Sequence, residues 1–573
     1  MTQPSGWWMY HGDYAHSGNA PGSSINAQML SSNGFGILHT LSLGGPVLSV
    51  PAVCDGSVYV GLANSLDQVG LFGGTLKKID LASGTVTATY NWQIQADERD
   101  SHGFCGMGCT PSVIGGFVYF VGFNAKLYCL NEGDLSLVWV TDLRNRDLAK
   151  NQPVQSFDPT DPYPPAAGWC APLVVGNRIF IGIGEGENPH LFSFVYCLDT
   201  ESGTVVWIMC TNIFHYMSQH VALPNIPNVL PASVVPDPPP APFTALPDPT
   251  LKGSSVWGCI AYDETLDRLY CPTGNGAPDG NLPTEGWTNG LLALDATTGA
   301  FKGFFQPPAD SNYRDTDNDV DMGGSPTLFT LPSGQRVVGV ASKNGSYFIL
   351  DADTLELVAR RQMLPYYNEG TPQQAQIPTV DPHEPALDGS QQINPQIPNS
   401  TSDDPANDEE NFSGSYSTAA WDPLTNRLFC GLGGNNYHTI SPGIDTDTTP
   451  FMRAMNLDLS DAWPVDTNNP PRYSKAMPPM YSNYNESGLS SPAVVNDLVF
   501  MGTTNVSLYA FSTADGTMLW QDQLGEQTGG MNGGYGYCMG PAICGDYVVA
   551  GALVFGGDGG ILRIYGPGGT PPG

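Results

Sequence analysis

One hairpin pattern recurs along the whole chain: an apolar strand, an Asp-led turn closing on Thr-Gly or an equivalent, then a second strand that often ends in Trp. It reads LKKIDLASGTVTATY, LYCLNEGDLSLVW, VYCLDTESGTVVW, LLALDATTGAFKGFF, YFILDADTLELVARR, more loosely AMNLDLSDAW, then LYAFSTADGTMLW, with a last strand GILRIYG left without its partner. Each unit is too small to bury an apolar face alone, so units at this spacing must stack on one another. Alternating strands with turn chemistry at this density predict an all-β, eight-bladed β-propeller. The unpaired last strand requires a partner from the other end, and N-terminal strands containing Trp7 and Trp8 are expected to close the ring. Trp139, Trp207 and Trp520 share one position after the turn-opening Asn131, Asp199 and Ser512, and are expected to dock between adjacent blades.

Gly 68 and Pro 50, with only 13% charged residues, fit many short strands and turns. The repeats cover residues 1–573 as a single propeller domain, interrupted by long insertions at about 211–253, 366–412 and 438–485. The first is Pro-rich and excluded from a central strand, and a loop of that length in a compact domain suits a cover over a site. A formal charge of −34 makes nucleic acid a poor partner, since its phosphates would be repelled. No apolar run reaches the length of a membrane span. The twelve cysteines contain no CxxC or CxxCH spacing, so no covalently attached haem is expected. The opening MTQPSGWWMYHG has no secretory character, which implies a periplasmic or secreted protein if Met1 begins a mature chain, and a cytoplasmic one otherwise.

Within this frame, SSVWGCIAYD, LYCPTGNGAP, ALDATTG, an acid-rich PPADSNYRDTDNDVD and SKNGSYF follow one another in order between 254 and 352. That ordered set resembles the quinoprotein alcohol dehydrogenases, propeller enzymes that use pyrroloquinoline quinone (PQQ) and a metal ion. The resemblance implies a flat tryptophan floor for the quinone at Trp257, and a basic residue at its reacting oxygens at Lys343. It implies a hard, oxygen-ligated ion held by a Glu, an Asn and an Asp, placed here at Glu187 (Glu185 as second choice), Asn275 and Asp315. The catalytic base falls at Asp315, with Asp310 at the family's first acid. Asp317, two residues beyond the base, stands where an acid accompanies lanthanide in place of calcium.

Two departures concern the cofactor pocket. The family's disulfide ring between adjacent cysteines is replaced by FCGMGC, with Cys105 and Cys109 four apart, and GWCAP puts Trp169 where a small hydroxyl residue is usual. The expectation is a quinoprotein that oxidises an alcohol with PQQ and calcium or lanthanide, Asp315 taking the hydroxyl proton, and electrons leaving to an external acceptor such as a cytochrome. The alternatives are a cofactor-free scaffold, and a propeller enzyme with another cofactor or a metal-only site. His215, Met217 and His220 are the soft-ligand residues that a metal-only site would recruit.

Overall fold

The computed structural model describes residues 3–64, 73–93, 105–143, 146–147, 152–153, 168–184, 193–211, 255–274, 287–307, 322–343, 346–363, 417–431, 452–463, 490–503, 506–525, 537–553 and 559–572. These form eight antiparallel blades arranged as a β-propeller, numbered here in chain order. Blade 4 shows the plan: inner strand Ala261–Asp263, then Arg268–Pro272, Leu291–Asp295 and the outer Phe301–Phe305, each paired with the one before. The inner strands of blades 1, 2, 3, 5, 6, 7 and 8 are Ala52–Cys54, Ser112–Ile114, Leu173–Val175, Thr327–Thr330, Ala420–Asp422, Ala493–Val495 and Ala542–Cys544.

The recurring hairpin joins the third and fourth strands, and its chemistry is local. Asp199 accepts from the Ser202 backbone N–H at 2.9 Å and from its hydroxyl at 2.8 Å, and Asp295 repeats this with Thr298. These donors hold the Asp199 carboxyl below its ordinary range, the Ser202 hydroxyl foremost. A register shift between Cys197 and Leu198, and between Ala293 and Leu294, marks the bulge each turn imposes.

In blades 3, 4 and 7 the glycine ending the turn has a second role, because it lies under the tryptophan of the preceding blade. Trp139 Nε1 donates to Thr200 O in blade 3 at 3.1 Å, and Trp207 Nε1 donates to Ala296 O in blade 4 at 3.2 Å. A Cβ on Gly299 would fall 2.7 Å from Trp207 Cδ2, and its φ of +71 already disfavours any other residue. Gly299→Ala is therefore expected to destabilise the propeller by about 2–3 kcal/mol without changing its fold. Urea unfolding checks this, and an unchanged midpoint would show that the indole moves aside at no cost. Trp463 docks in the same way on Thr513 O, above Gly516. Trp520 instead packs against Phe35 and Tyr565 of blade 8, at ring-centroid distances of 5.6 and 5.2 Å.

Closure corrects one expectation. The strand completing blade 8 beside Gly560–Pro567 is Phe35–Ser42, in register from Phe35↔Pro567 to Ser42↔Ile561, not the strand containing Trp7 and Trp8. Trp7 pairs with Val53 on the inner edge of blade 1. From there the chain threads across the inner strands. Backbone oxygens of Trp8, Tyr14, Ala15, Ser17 and Gly18 accept from Val113, Tyr262, Leu328, Trp421 and Val494, in blades 2, 4, 5, 6 and 7, at 2.7–2.8 Å. This segment satisfies edge N–H groups that an open propeller channel would leave bare. Its His11 and His16 side chains are buried, at 3% and 1% exposure, and Tyr10 is partly buried.

Candidate functional site

Each inner strand starts with a short approach segment, and these segments define layers along the axis. In blade 4 the order is Trp257, then Cys259, then the strand from Ala261, whose Tyr262 meets the N-terminal thread. The threaded segment thus closes the channel on one side of the Cys259 layer, and Trp257 lies on the other.

The middle layer is a hydrogen-bonded belt. Ala171 N donates to Cys259 Sγ at 3.4 Å, Cys259 N to Ser325 Oγ at 2.8 Å, Ser325 N to Thr418 Oγ1 at 3.1 Å, and Thr418 N to Ser491 Oγ at 3.0 Å. All five stand two residues ahead of their inner strand, in blades 3 to 7. Tyr10 reaches up from the thread and places its hydroxyl 2.8 Å from Thr418 Oγ1 and 3.2 Å from Ser491 Oγ. Burial, reinforced by Cys259, pushes the Tyr10 phenol up to about 12, so it stays neutral and can donate into the belt. The belt forms a base under the site, since the backbone N–H groups of Ala171, Cys259, Ser325 and Thr418 each bond to a side chain of the next blade.

Above the belt, the sequence-predicted floor and basic residue come together. The Lys343 ammonium stands 4.9 Å from the centroid of the Trp257 ring, within cation–π reach, with Lys343 only 9% exposed and Trp257 partly exposed. Blade 4 supplies the ring. Lys343 follows strand Arg336–Ala341 of blade 5, whose end lies beside the approach segment through Gly324 N to Ala341 O, 3.2 Å. Gly274 of the TGN motif seals the other flank. A Cβ there would lie 2.6 Å from Ser255 Oγ and 3.2 Å from Trp257 Cδ1, so the strand can pass the indole this closely only as glycine. The motif was read for its asparagine, and the glycine's positioning role was missed.

Trp169 occupies the place in blade 3 that Trp257 occupies in blade 4, each four residues ahead of its inner strand. Its ring meets Phe123 edge-on at 4.6 Å, and Gly108 lies where a Cβ would strike Phe123. Cys105 and Cys109 are both buried; Cys109 donates to Val121 O at 3.3 Å, and burial pushes its thiol up to about 12. At neutral pH it is a protonated core thiol.

Strands Arg178–Ile183 and Arg268–Pro272 run antiparallel to their inner strands and end on the Trp257 side, as does Phe301–Phe305, after which Gln306 donates to Thr288 O at 2.9 Å. Glu185, Glu187, Asn275, Asp310, Asp315 and Asp317, and likewise His215, Met217 and His220, lie outside the described residues. Among the described residues no group of three or more His, Cys, Asp or Glu is placed to hold a metal ion, and no helix is long and apolar enough to cross a membrane.

Residues 237–428 match the family model described as glucose/ethanol/alcohol dehydrogenase, beta-propeller domain. The chain is 25% identical to lupanine 17-hydroxylase [cytochrome c] of a Pseudomonas species over 60% of its own length and 45% of that protein's. It is 25% identical to quinohemoprotein alcohol dehydrogenase ADH IIB of Pseudomonas putida over 62% of its own length and 47% of that protein's. The chain therefore spans about half the length of these curated relatives. Among solved structures, quinohemoprotein alcohol dehydrogenase ADHIIG from Pseudomonas putida HK5 superposes with a TM-score of 0.64 at 17% identity, covering 99% of this chain and 81% of that one. A europium-containing methanol dehydrogenase superposes with a TM-score of 0.62 at 16% identity, covering 99% and 98%. The eight-bladed fold and the resemblance to the PQQ-dependent alcohol dehydrogenase family both hold.

Proposed function

We propose that this chain, whose relatives are the quinoprotein alcohol dehydrogenases, is an oxidoreductase that oxidises an alcohol using PQQ and a bound calcium or lanthanide ion. The observation that carries this reading is the Lys343 ammonium poised over the Trp257 ring. A planar, polyanionic quinone needs a flat aromatic surface to stack on and a cation to meet its oxygens, and these two residues supply both within one contact. Gly274 lies against the same floor, and Trp169 holds the equivalent position in the neighbouring blade.

Bound there, the quinone supplies the two-electron acceptor and the ion a Lewis acid. The protein's own part is positional and acid–base. Trp257 would give the quinone a flat surface to stack on, and Lys343 would stabilise negative charge on its oxygens. Glu187, Asn275 and Asp315 are assigned to the ion, with Asp317 added for a trivalent one, and Asp315 to the hydroxyl proton. Electrons then leave to an external acceptor; a net charge of −34 favours a basic partner, a soluble cytochrome being the chemical type, in a periplasmic or extracellular setting.

Thermal shift with PQQ alone, each metal alone and both together tests this. Ligands that bind only the native state raise its melting temperature, and the quinone and the ion should do so synergistically. Lys343→Met is expected to weaken PQQ binding by about 10- to 100-fold, the loss of a charge-assisted hydrogen bond. No synergy with any metal would favour a cofactor-free scaffold, and a shift with copper alone a recruited soft-metal site.

A further inference from the structure

The belt contains a feature that quinone chemistry does not use. Four thiols, Cys109, Cys170, Cys259 and Cys271, lie near one another where blades 2, 3 and 4 meet. Cys170 and Cys259 are the closest pair. Their side chains share a hydrogen bond, and Ala171, next in chain to Cys170, places its N–H 3.4 Å from Cys259 Sγ. Cys170 follows Trp169 directly, and Cys259 lies two residues past Trp257.

We infer that Cys170 and Cys259 form a redox-active dithiol that closes to an inter-blade disulfide beneath the tryptophan floor. The asymmetry of the pair supplies the nucleophile. Burial works to raise the Cys170 thiol, but the hydrogen bond from Cys259 and backbone donors at Gly182 and Ile260 outweigh it and bring it below the ordinary thiol range. Cys259 moves the other way, well above it, through burial and its contact with Cys170. Of the two, Cys170 is the thiol that gives up its proton more readily and acts as nucleophile, and Cys259 is the resolving thiol.

The oxidant is a small two-electron acceptor of the azodicarboxamide or quinone class. With the azo compound, Cys170 sulfur adds to one nitrogen. Cys259 sulfur then attacks Cys170 sulfur and displaces the reduced nitrogen compound. Two S–H bonds are lost and one S–S bond forms, and both protons and both electrons end on the hydrazine. Cys259 is the more exposed of the two, at 7% against 0% for Cys170. The cross-link joins residues far apart in sequence, so it also restricts the unfolded chain.

The test needs neither quinone nor metal, so its failure leaves the proposed dehydrogenase reading untouched. The folded full chain is treated with azodicarboxamide, alkylated under denaturing conditions and peptide-mapped without reduction. The expected result is one peptide pair joining Cys170 to Cys259, a melting temperature above that of the reduced protein, and reversal of both by dithiothreitol. Cys170→Ser and Cys259→Ser should each abolish the link, whereas Cys109→Ser retains it. Absence of a Cys170–Cys259 peptide in the native protein, or a link running from Cys109 to Cys170 or to Cys105 instead, overturns the inference.

Discussion

Asp315→Asn is expected to leave the propeller folded and to cut alcohol turnover by about 10²–10⁴-fold, the usual contribution of a positioned general base. The amide keeps the side chain's shape and one oxygen for a metal, but has no basic lone pair for a hydroxyl proton. Retained metal and quinone binding with lost turnover is therefore the signature, read by thermal shift and dye-coupled oxidation on the same preparation. Asp315 follows the outer strand Phe301–Phe305 of blade 4, the blade that also supplies Trp257. If Asp310→Asn loses turnover while Asp315→Asn keeps it, the base is Asp310. Full turnover in both variants counts against proton abstraction by this acidic segment altogether.

What could be read from the residues alone follows their range of action. Turns were legible because Asp199 with Ser202, or Asp295 with Thr298, settles its geometry within four residues. The docking of Trp139 and Trp207 was legible because the glycine that accommodates each ring sits at a fixed place in the next hairpin. Ring closure was read in outline but assigned to the wrong strand. FGILHTLS carries no turn signature of its own, and it pairs with residues at the opposite end of the chain. The belt was invisible for the same reason. It takes one residue from each of blades 3 to 7, of unlike types (Ala171, Cys259, Ser325, Thr418, Ser491), and only the fold brings them into line. Trp257 and Lys343 were singled out through a resemblance, and their contact across two blades is a product of the propeller.

The N-terminal thread carries the second large expected effect, a loss of stability in mild acid that comes from histidine. His16 is 1% exposed, with Nδ1 3.0 Å from Pro326 O and its ring edge-on to Tyr10 at 5.1 Å. Burial, then the neighbouring His11, lowers its pKa from 6.5 to about 3. His11 is lowered too, by burial, although its contacts with His16 O and Pro492 O oppose the shift. A group with a depressed folded pKa binds its proton more readily in the unfolded chain, so its stabilisation is complete above pH 6.5 and declines as pH falls towards the folded value. From pH 6.5 to 4.5, His16 alone accounts for about 2 kcal/mol of lost stability. His16→Asn isolates the effect. The amide nitrogen can take the place of Nδ1 as donor to Pro326 O, and asparagine tolerates the φ of +53 found there. Wild type should lose urea resistance between pH 6.5 and 4.5, and the variant should lose markedly less. Equal slopes in the two proteins would mean that the thread admits the imidazolium without penalty, and that acid acts on the propeller elsewhere.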